Sequence, residues 1–210
     1  IRWSYAPELD DGSFAKALTE HGVIPSAAHS AALYDDMKRG MENGLNTVTH
    51  LYSCTSTVTR SGGFRSLGVI ESAYLIDDIY CEIIADGKHL PEGLLKLIYK
   101  CKGRDRICLI TDAMRGATMP EGPSTLGKGT KCIIEDGIAK MPDRTAFAGS
   151  VATTDRLVRT LHKKAELPLT VAVNMMTKNP ATALGLKNKG ILEVGYDADI
   201  LVFDGDINVN

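Results

Sequence analysis

Polar side chains that can bind a metal or move a proton recur directly after short apolar or β-branched runs of the chain. The runs 23–28, 46–49, 80–85 and 107–111 are followed by His29, His50, the segment ending in His89, and Asp112. Neutral imidazole and carboxylate are common ligands of zinc and related divalent ions. A bound ion makes hydroxide available near neutral pH, and a nearby carboxylate can serve as general base. These residue types therefore suit metal-assisted hydrolysis.

Each of these residues also has an ordinary structural interpretation. A lone histidine is more often a hydrogen-bonded structural residue than a ligand, and Glu8 and Asp112 could cap helices. Glu8 follows Pro7, which would end any strand before it. The shared position after strands favours the functional interpretation for this set. His21 and His162 lie outside strand ends, so we assign them no chemical role.

The elements that must position these residues alternate along the chain. Helical patterns at 13–21, 31–43 and 92–102 separate the four apolar runs, which we predict to be strands. Strands alternating with helices indicate βα units and a parallel sheet. In a βα barrel the carboxyl ends of all strands face one side. The polar residues after the strands are therefore predicted to converge there.

The character of the chain changes after Asp112. We predict a long loop over 114–129, a hairpin over 131–141 with an Asp136-Gly137 turn, and helices at 153–165, 168–178 and 181–184. The tail, 190–204, has turn residues and one short apolar strand. The stretch 122–129 resembles a phosphate-binding loop, but Gly129 stands where that motif needs a hydroxyl. Nucleotide binding is therefore not predicted.

Composition narrows the functional classes. The 210 residues carry a net charge of −2 without a dense basic cluster, so we predict no nucleic-acid partner. No apolar run approaches the roughly 20 residues of a membrane helix, so no membrane association is predicted. The five cysteines form no Cys-x-x-Cys pair, which is typical of scattered small apolar residues in a reducing cytoplasm. We expect a cytoplasmic enzyme.

Eight segments of the chain resemble the N-acetylglucosamine-6-phosphate deacetylases of the amidohydrolase superfamily, in order and in spacing. They are APE (6–8), AHSAALYDDM (28–37), NTVTHLY (46–52), IIADGKHLP (83–91), LITDAM (109–114), FAGS (147–150), MMTKNPATALGL (175–186) and KGILEVGYDADILVFD (189–204). THLY, ADGxH and TDAM together are specific. The last segment is shared by many amidohydrolases.

The resemblance implies a role for each matching position. Glu8, His29 and His50 correspond to metal ligands for a divalent ion, with zinc preferred over iron, manganese or cobalt. Asp112 corresponds to the catalytic aspartate, which activates the water and then protonates the leaving amine. His89 corresponds to a histidine that contacts substrate near the scissile amide. The implied reaction hydrolyses N-acetylglucosamine 6-phosphate to glucosamine 6-phosphate and acetate.

Substrate-binding positions follow the resemblance less closely. Ser53 and Cys54 occupy the place of the Asn-Ala that helps bind the sugar phosphate, and Arg60 lies one residue from the usual phosphate-binding arginine. Arg65 is an alternative to Arg60. A relative acting on another N-acetylated sugar, such as N-acetylgalactosamine 6-phosphate, therefore stays open. So does a non-catalytic fragment that retains the metal site.

The resemblance also implies the architecture. We expect a metal-dependent amidohydrolase (β/α)8 TIM barrel of which residues 1–186 form the second half, with the hairpin near 131–141 as an insertion. Residues 187–210 would belong to a small β-sandwich. A complete barrel takes about 250 residues, so we interpret the chain as a piece of a longer protein. The resemblance implies a homodimer with sites near the subunit interface.

Overall fold

The structure is a computed structural model that describes residues 2–209. Its strands, in chain order, are β1 (Arg2–Tyr5), β2 (Ile24–Ala27), β3 (Thr47–Val48), β4 (Thr59–Ser61), β5 (Phe64–Ser66), β6 (Tyr80–Ile83), β7 (Ile107–Leu109), β8 (Gly122–Leu126), β9 (Thr130–Glu135) and β10 (Ile138–Lys140). The main sheet has the order β1-β2-β3-β6-β7, and every neighbouring pair is parallel. The predicted parallel sheet is confirmed.

Helices connect these strands. They are α1 (Ser13–Glu20), α2 (Tyr34–Glu42), α3 (Val69–Leu75), α4 (Glu92–Lys102), α5 (Thr154–Arg159), α6 (Leu169–Met176) and α7 (Lys178–Ala183), and α5 continues into a π-helical turn over Thr160–Lys164. The N-cap of α1 is Gly12, and the carboxylate of Asp10 accepts hydrogen bonds from the first-turn amides of Phe14 and Ala15. Pro91 precedes α4, and Gly103 ends it with φ 71°.

The hydrophobic core lies between the main sheet and the helices that cover it. Strand residues such as Val48, Cys81 and Ile83 are almost fully buried against it, and β6 and β7 are buried along their whole length. Helices contribute the other side of this layer with Met37, Leu95, Ile98, Leu157, Ala172 and Met175. The core explains why the central strands read as nearly continuous apolar runs.

A second, antiparallel sheet lies after the main-sheet strand β7, with the order β8-β9-β10. The predicted hairpin is β9 and β10, and its two turn residues Asp136 and Gly137 both have positive φ, at 55° and 69°. The prediction of a loop over 114–129 is wrong for its later part, because the five residues of β8 pair with β9. Gly, Pro, Ser and Thr conceal this strand from pattern analysis, since only its pairing with β9 stabilises it.

The tail of the chain differs from prediction. Residues 191–202 contain no strand, and the nearest pairing is a single bridge between Phe203 and Val209. The apolar side chains of Leu192, Val194, Ile200, Leu201 and Val202 are largely exposed. A strand needs a neighbour for its backbone hydrogen bonds, and residues 2–209 offer the tail none. Within the same residues, no helix combines the length and the apolarity needed to cross a membrane.

Asn179 generates a stability prediction. Its buried side chain ties α7 to the sheet by donating from Nδ2 to the carbonyls of Arg104 (2.9 Å) and Ile107 (2.7 Å). Asn179→Ala leaves buried acceptors unsatisfied, which costs about 1–3 kcal/mol. In the intact protein we expect Tm to fall by several degrees, at about 2–4 °C per kcal/mol.

The matched control for this prediction is Thr182→Ala, on the exposed face of the same helix. We expect its Tm to stay within about a degree of the unmodified protein. Equal thermal shifts in the two variants would contradict the anchoring role of Asn179.

Candidate functional site

His29 and His50 meet at the carboxyl edge of the main sheet. β2 and β3 are adjacent, and each histidine stands two residues beyond the end of its strand. Their Nε2 atoms are 2.9 Å apart and their ring centroids are 4.8 Å apart. His50 is buried, whereas His29 is exposed. The predicted convergence is thus found for this pair.

The backbone at this edge is strained. Residues that follow strands have φ in the left-handed region, which L-residues rarely adopt: His29 at 48°, His50 at 33°, Asp112 at 47°, Tyr52 at 77° and Cys54 at 50°. Such conformations cost of order 1–3 kcal/mol each and persist only where surrounding contacts hold them. Their concentration at four predicted site residues, His29, His50, Cys54 and Asp112, marks this edge as a functional region.

Contacts between the two histidine loops hold the strained backbone in place. The Ser30 amide donates to the Cys54 carbonyl (3.0 Å), and the Ser56 amide donates to the Ser30 carbonyl (3.0 Å). Behind them, the hydroxyls of Tyr52 and Tyr74 are 2.9 Å apart, which anchors the loop to α3. We had assigned Tyr52 no role. The local sequence does not indicate this contact, because Tyr74 lies 22 residues after Tyr52.

Asp112 stands three residues after β7, beside the histidines. Its carbonyl accepts from the Ser150 amide (3.0 Å), and Ala113 pairs in parallel with Ser150. Gly149, with φ 102°, permits this approach, since a Cβ there would lie 3.4 Å from the Asp112 carbonyl oxygen. The segment 147–150 therefore holds the backbone of Asp112, while the residue itself stays exposed.

Electrostatics at the edge keep His50 neutral. Burial lowers its pKa below the usual value, and the neighbouring His29 lowers it further, whereas the Asp112 carboxylate acts in the opposite direction. Asp112 follows β7 at the same edge of the parallel sheet as His50. Neutral imidazole is the form that binds cations. Nδ1 of His50 is buried and has no hydrogen-bond partner among residues 2–209.

His89 lies on the loop that follows β6, between β3 and β7 in the sheet order. Its Nδ1 contacts the Asp86 carboxylate at 2.8 Å, and its ring packs edge-on against Phe147 at 5.0 Å between centroids. Asp86 is buried. The sequence interpretation did not single out Asp86, although its spacing of three residues from His89 is a usable signal.

Glu8, the third predicted ligand, lies against the loop that carries His29. Its carboxylate accepts from the Ser30 hydroxyl and the Ala31 amide, both at 2.6 Å, and so is turned toward the loop after β2. Within the described range 2–209, the structure groups no three His, Cys, Asp or Glu side chains closely enough to hold a metal. The two histidines are thus brought together, and the role of Glu8 as the third ligand stays a prediction.

The two histidines nevertheless fit part of a metal centre. Two nitrogen ligands about 2.0–2.1 Å from one tetrahedral zinc ion lie roughly 3.3 Å apart, a few tenths of an ångström more than the 2.9 Å between these Nε2 atoms. Catalytic zinc sites use three protein ligands and keep one position open. The pair therefore suits two ligands of such a site, and Glu8, bonded to the loop of His29, remains the predicted third ligand.

The predicted substrate-binding residues are dispersed. The Ser53 amide donates to the His50 carbonyl (2.9 Å), and Cys54 is exposed beside it, so both belong to the strained loop. Arg60 is exposed on β4, directly opposite Arg65 of β5 in the antiparallel pair. No hydrogen bond or ion pair among the described residues ties Arg60 to the histidine pair. His21 and His162 make local bonds to the carbonyls of Ala17 and Leu167, as a structural role requires.

Comparison with known proteins defines the class. Residues 15–210 match the model of the Amidohydrolase family, and the chain belongs to this family. Within it, the chain is similar to the N-acetylglucosamine-6-phosphate deacetylase of Lysinibacillus sphaericus, with 38% identity over 200 residues, 95% of this chain and 50% of the relative. The N-acetylgalactosamine-6-phosphate deacetylase of Shewanella sp. (strain ANA-3) is 30% identical over 206 residues, 97% of this chain and 50% of that protein.

Solved structures agree with the sequence comparison. A mutant N-acetyl-D-glucosamine-6-phosphate deacetylase from Mycobacterium smegmatis, in complex with N-acetyl-D-glucosamine-6-phosphate, superposes with a TM-score of 0.90 at 30% identity. The alignment covers 99% of this chain and 54% of that one. The fold is accordingly part of a TIM barrel of the amidohydrolase type. The chain spans about half the length of the curated relatives it matches.

The predicted ligands His50 and Glu8 generate a prediction on metal content. In the intact protein, we expect His50→Gln to lose most of its tightly bound divalent metal, because it removes one nitrogen of the facing pair. Glu8→Gln should also lose metal, since it replaces a charged carboxylate ligand with a neutral amide. Elemental analysis after dialysis measures both.

The matched control is His162→Gln, which alters a histidine distant in sequence and bonded only to a local carbonyl. Its metal content should equal that of the unmodified protein. Retention of metal in His50→Gln, with loss of metal in Glu8→Gln, would contradict the assignment of His50 as a ligand.

Proposed function

We propose that the protein containing this chain hydrolyses the N-acetyl amide of an amino-sugar 6-phosphate, N-acetylglucosamine 6-phosphate being the first candidate. The observation that carries the proposal is the facing pair His29 and His50, with the charge of Asp112 beside it. Membership in the amidohydrolase family and the similarity to deacetylases of this substrate support it. Amidohydrolases are generally metal-dependent, and the donor set suits zinc first, with iron, manganese or cobalt as alternatives.

Each residue of the chain has a proposed task. His29 and His50 would hold one divalent ion, which when bound supplies a Lewis acid and an acidified water. Asp112 takes a proton from the attacking water and returns it to the leaving nitrogen, and its strained, exposed position leaves the carboxylate free to do so. Glu8 would be the third protein ligand of that ion, and its hydrogen bonds to Ser30 and Ala31 hold it beside the loop that carries His29.

The identity of the sugar is a separate part of the proposal. Ser53 and Cys54 lie on the loop of His50, and His89 lies on the loop after β6, the next strand of the sheet, so we propose that these three contact the sugar. Arg60, or Arg65 opposite it, would bind the phosphate, because guanidinium binds phosphate oxygens bidentately. One similar protein acts by name on N-acetylgalactosamine 6-phosphate, which keeps that epimer as the second candidate.

The domain arrangement and the oligomeric state are also part of the proposal. Residues 1–186 would form the second half of the barrel, and residues 187–210 would complete a small β-sandwich with strands from elsewhere in the protein. The exposed apolar tail is what such pairing would cover. We propose a cytoplasmic homodimer with a small-molecule substrate, and neither nucleic acid nor membrane as partner.

Asp112→Asn tests the proton-transfer role. An amide cannot accept and return the proton, so kcat should fall by about 10²–10⁴-fold, while bound metal stays unchanged because the histidine pair is intact. Steady-state acetate release and elemental analysis of the intact protein measure the two quantities.

The matched control for Asp112→Asn is Asp105→Asn, the same change at an exposed residue before β7, at the opposite end of the strand. It should keep normal kcat. Undiminished turnover in Asp112→Asn would exclude the proposed base, and loss of metal would indicate a ligand instead.

Substrate preference tests the activity itself. We expect the intact protein to release acetate from N-acetylglucosamine 6-phosphate, with a lower kcat/KM for the galactosamine epimer and for unphosphorylated N-acetylglucosamine. A higher kcat/KM for the epimer would select the second candidate. No acetate from any of the three would reject the amino-sugar assignment.

A further inference from the structure

We propose that Asp86 is a positioning residue that keeps the proton of neutral His89 on Nδ1, so that Nε2 presents a lone pair to a hydrogen-bond donor of the substrate. The donor would be a sugar hydroxyl or the amide N–H. This inference rests on the proposed function for the identity of the substrate. The tautomer of His89 can be measured without it.

The Asp86 carboxylate is fully used as an acceptor. Oδ1 accepts from the amides of Lys88 and His89, each at 2.8 Å, and Oδ2 contacts Nδ1 of His89 at 2.8 Å. The side chain of Asp86 is completely buried. The two backbone amides can only donate, so they stabilise the ionised form of this carboxylate.

The charge state of Asp86 follows from the same contacts. Burial alone would raise its pKa, but the hydrogen bonds from the His89 side chain and from the amides of His89 and Lys88 outweigh burial and lower the pKa below its usual value. An ionised carboxylate has no hydrogen to donate. Nδ1 of His89 must therefore carry the proton in this contact.

The backbone of Asp86 is held from a second direction. Arg156 of α5 donates from Nε (3.0 Å) and Nη2 (2.8 Å) to the Asp86 carbonyl, and its Nη1 donates to the Gly137 carbonyl (2.9 Å). Phe147 packs against the imidazole of His89. The Asp86 carboxylate, Arg156 and Phe147 together hold this loop, so His89 has one orientation. Recognition of a substrate group requires such a fixed orientation.

The remaining nitrogen of His89 is the one available for binding. Nε2 has no hydrogen-bond partner in residues 2–209 and is not among the fully buried unpartnered atoms, and 9% of the side chain is exposed. With the proton on Nδ1, neutral His89 can only accept at Nε2. A hydroxyl or an amide N–H satisfies that lone pair, whereas a fully ionised phosphate offers no hydrogen.

A substitution at Asp86 separates tautomer control from simple loop support. In Asp86→Asn, the carbonyl oxygen can keep the two backbone amides, and the NH2 group then faces Nδ1. That nitrogen must become an acceptor, so the proton moves to Nε2. The loop is retained while the hydrogen-bonding character of Nε2 is reversed.

The first experiment is ¹⁵N NMR of histidine-labelled intact protein, with the His89 resonances assigned by their loss in His89→Gln. We expect Nδ1 to be protonated and Nε2 unprotonated in the unmodified protein at a pH where His89 is neutral. The pattern should be exchanged in Asp86→Asn. A proton on Nε2 in the unmodified protein would overturn the proposal, whatever its enzymatic activity.

The second experiment is a double-mutant cycle on acetate release from N-acetylglucosamine 6-phosphate. Asp86→Asn alone should lower kcat/KM by about 10- to 100-fold, the range expected for a lost hydrogen bond to a buried polar group. In the His89→Gln background it should change kcat/KM by less than about twofold, because its effect passes through His89. Asp105→Asn serves again as the control.

The outcomes are distinguishable. Equal losses from Asp86→Asn in both backgrounds would assign Asp86 to loop stability and overturn the inference, as would full activity of a folded Asp86→Asn protein. If the unmodified protein releases no acetate, the proposed function fails, and the tautomer measured by NMR still decides the role of Asp86.

Discussion

The close approach of His29 and His50 depends on backbone conformations that the surrounding structure must impose. Both residues have φ in the left-handed region, as does Asp112 on the far side of β6. A chain that leaves a strand with extended dihedrals would continue along the strand axis, away from the loops that follow the neighbouring strands. The left-handed residue turns it, so that side chains on adjacent strands point toward the same volume. Strain at this edge is thus part of how the site is built.

The contacts that hold this strain come from hydrogen bonds between loops. The Glu8 carboxylate accepts from Ser30 and Ala31, and the Ser30 amide donates to the Cys54 carbonyl. The Ser150 amide donates to the Asp112 carbonyl. The Asp86 carboxylate accepts from the His89 amide within its own loop. Each contact joins residues on different βα units, or closes a loop on itself. Removing one partner leaves a buried or strained group unsatisfied, which is costly. We infer that the carboxylate of Asp86 acts by orienting His89 rather than by direct chemistry.

The open parts of the fold have a common physical explanation. The main sheet ends at β1 and β7, and the tail exposes apolar side chains without strand partners. Sheet edges and apolar surface are ordinarily covered in folded proteins. The chain also spans about half the length of its relatives. We therefore propose that the neighbours of the tail come from the rest of the protein.

The sequence by itself determined the parallel sheet, the bounds of α4 and the positions of His29, His50 and Asp112 after strands. These features depend on short-range patterns: apolar runs, helical spacing and turn residues such as Asp136-Gly137. Only the tertiary structure decided that β8 is a strand, that the tail is not, and that Glu8 faces Ser30 and Ala31. Strand formation in polar or unpartnered segments depends on neighbours remote in sequence. The direction of a carboxylate depends on donors brought near it by folding, and the separation of 23 positions from Glu8 to Ala31 hides that contact from local analysis.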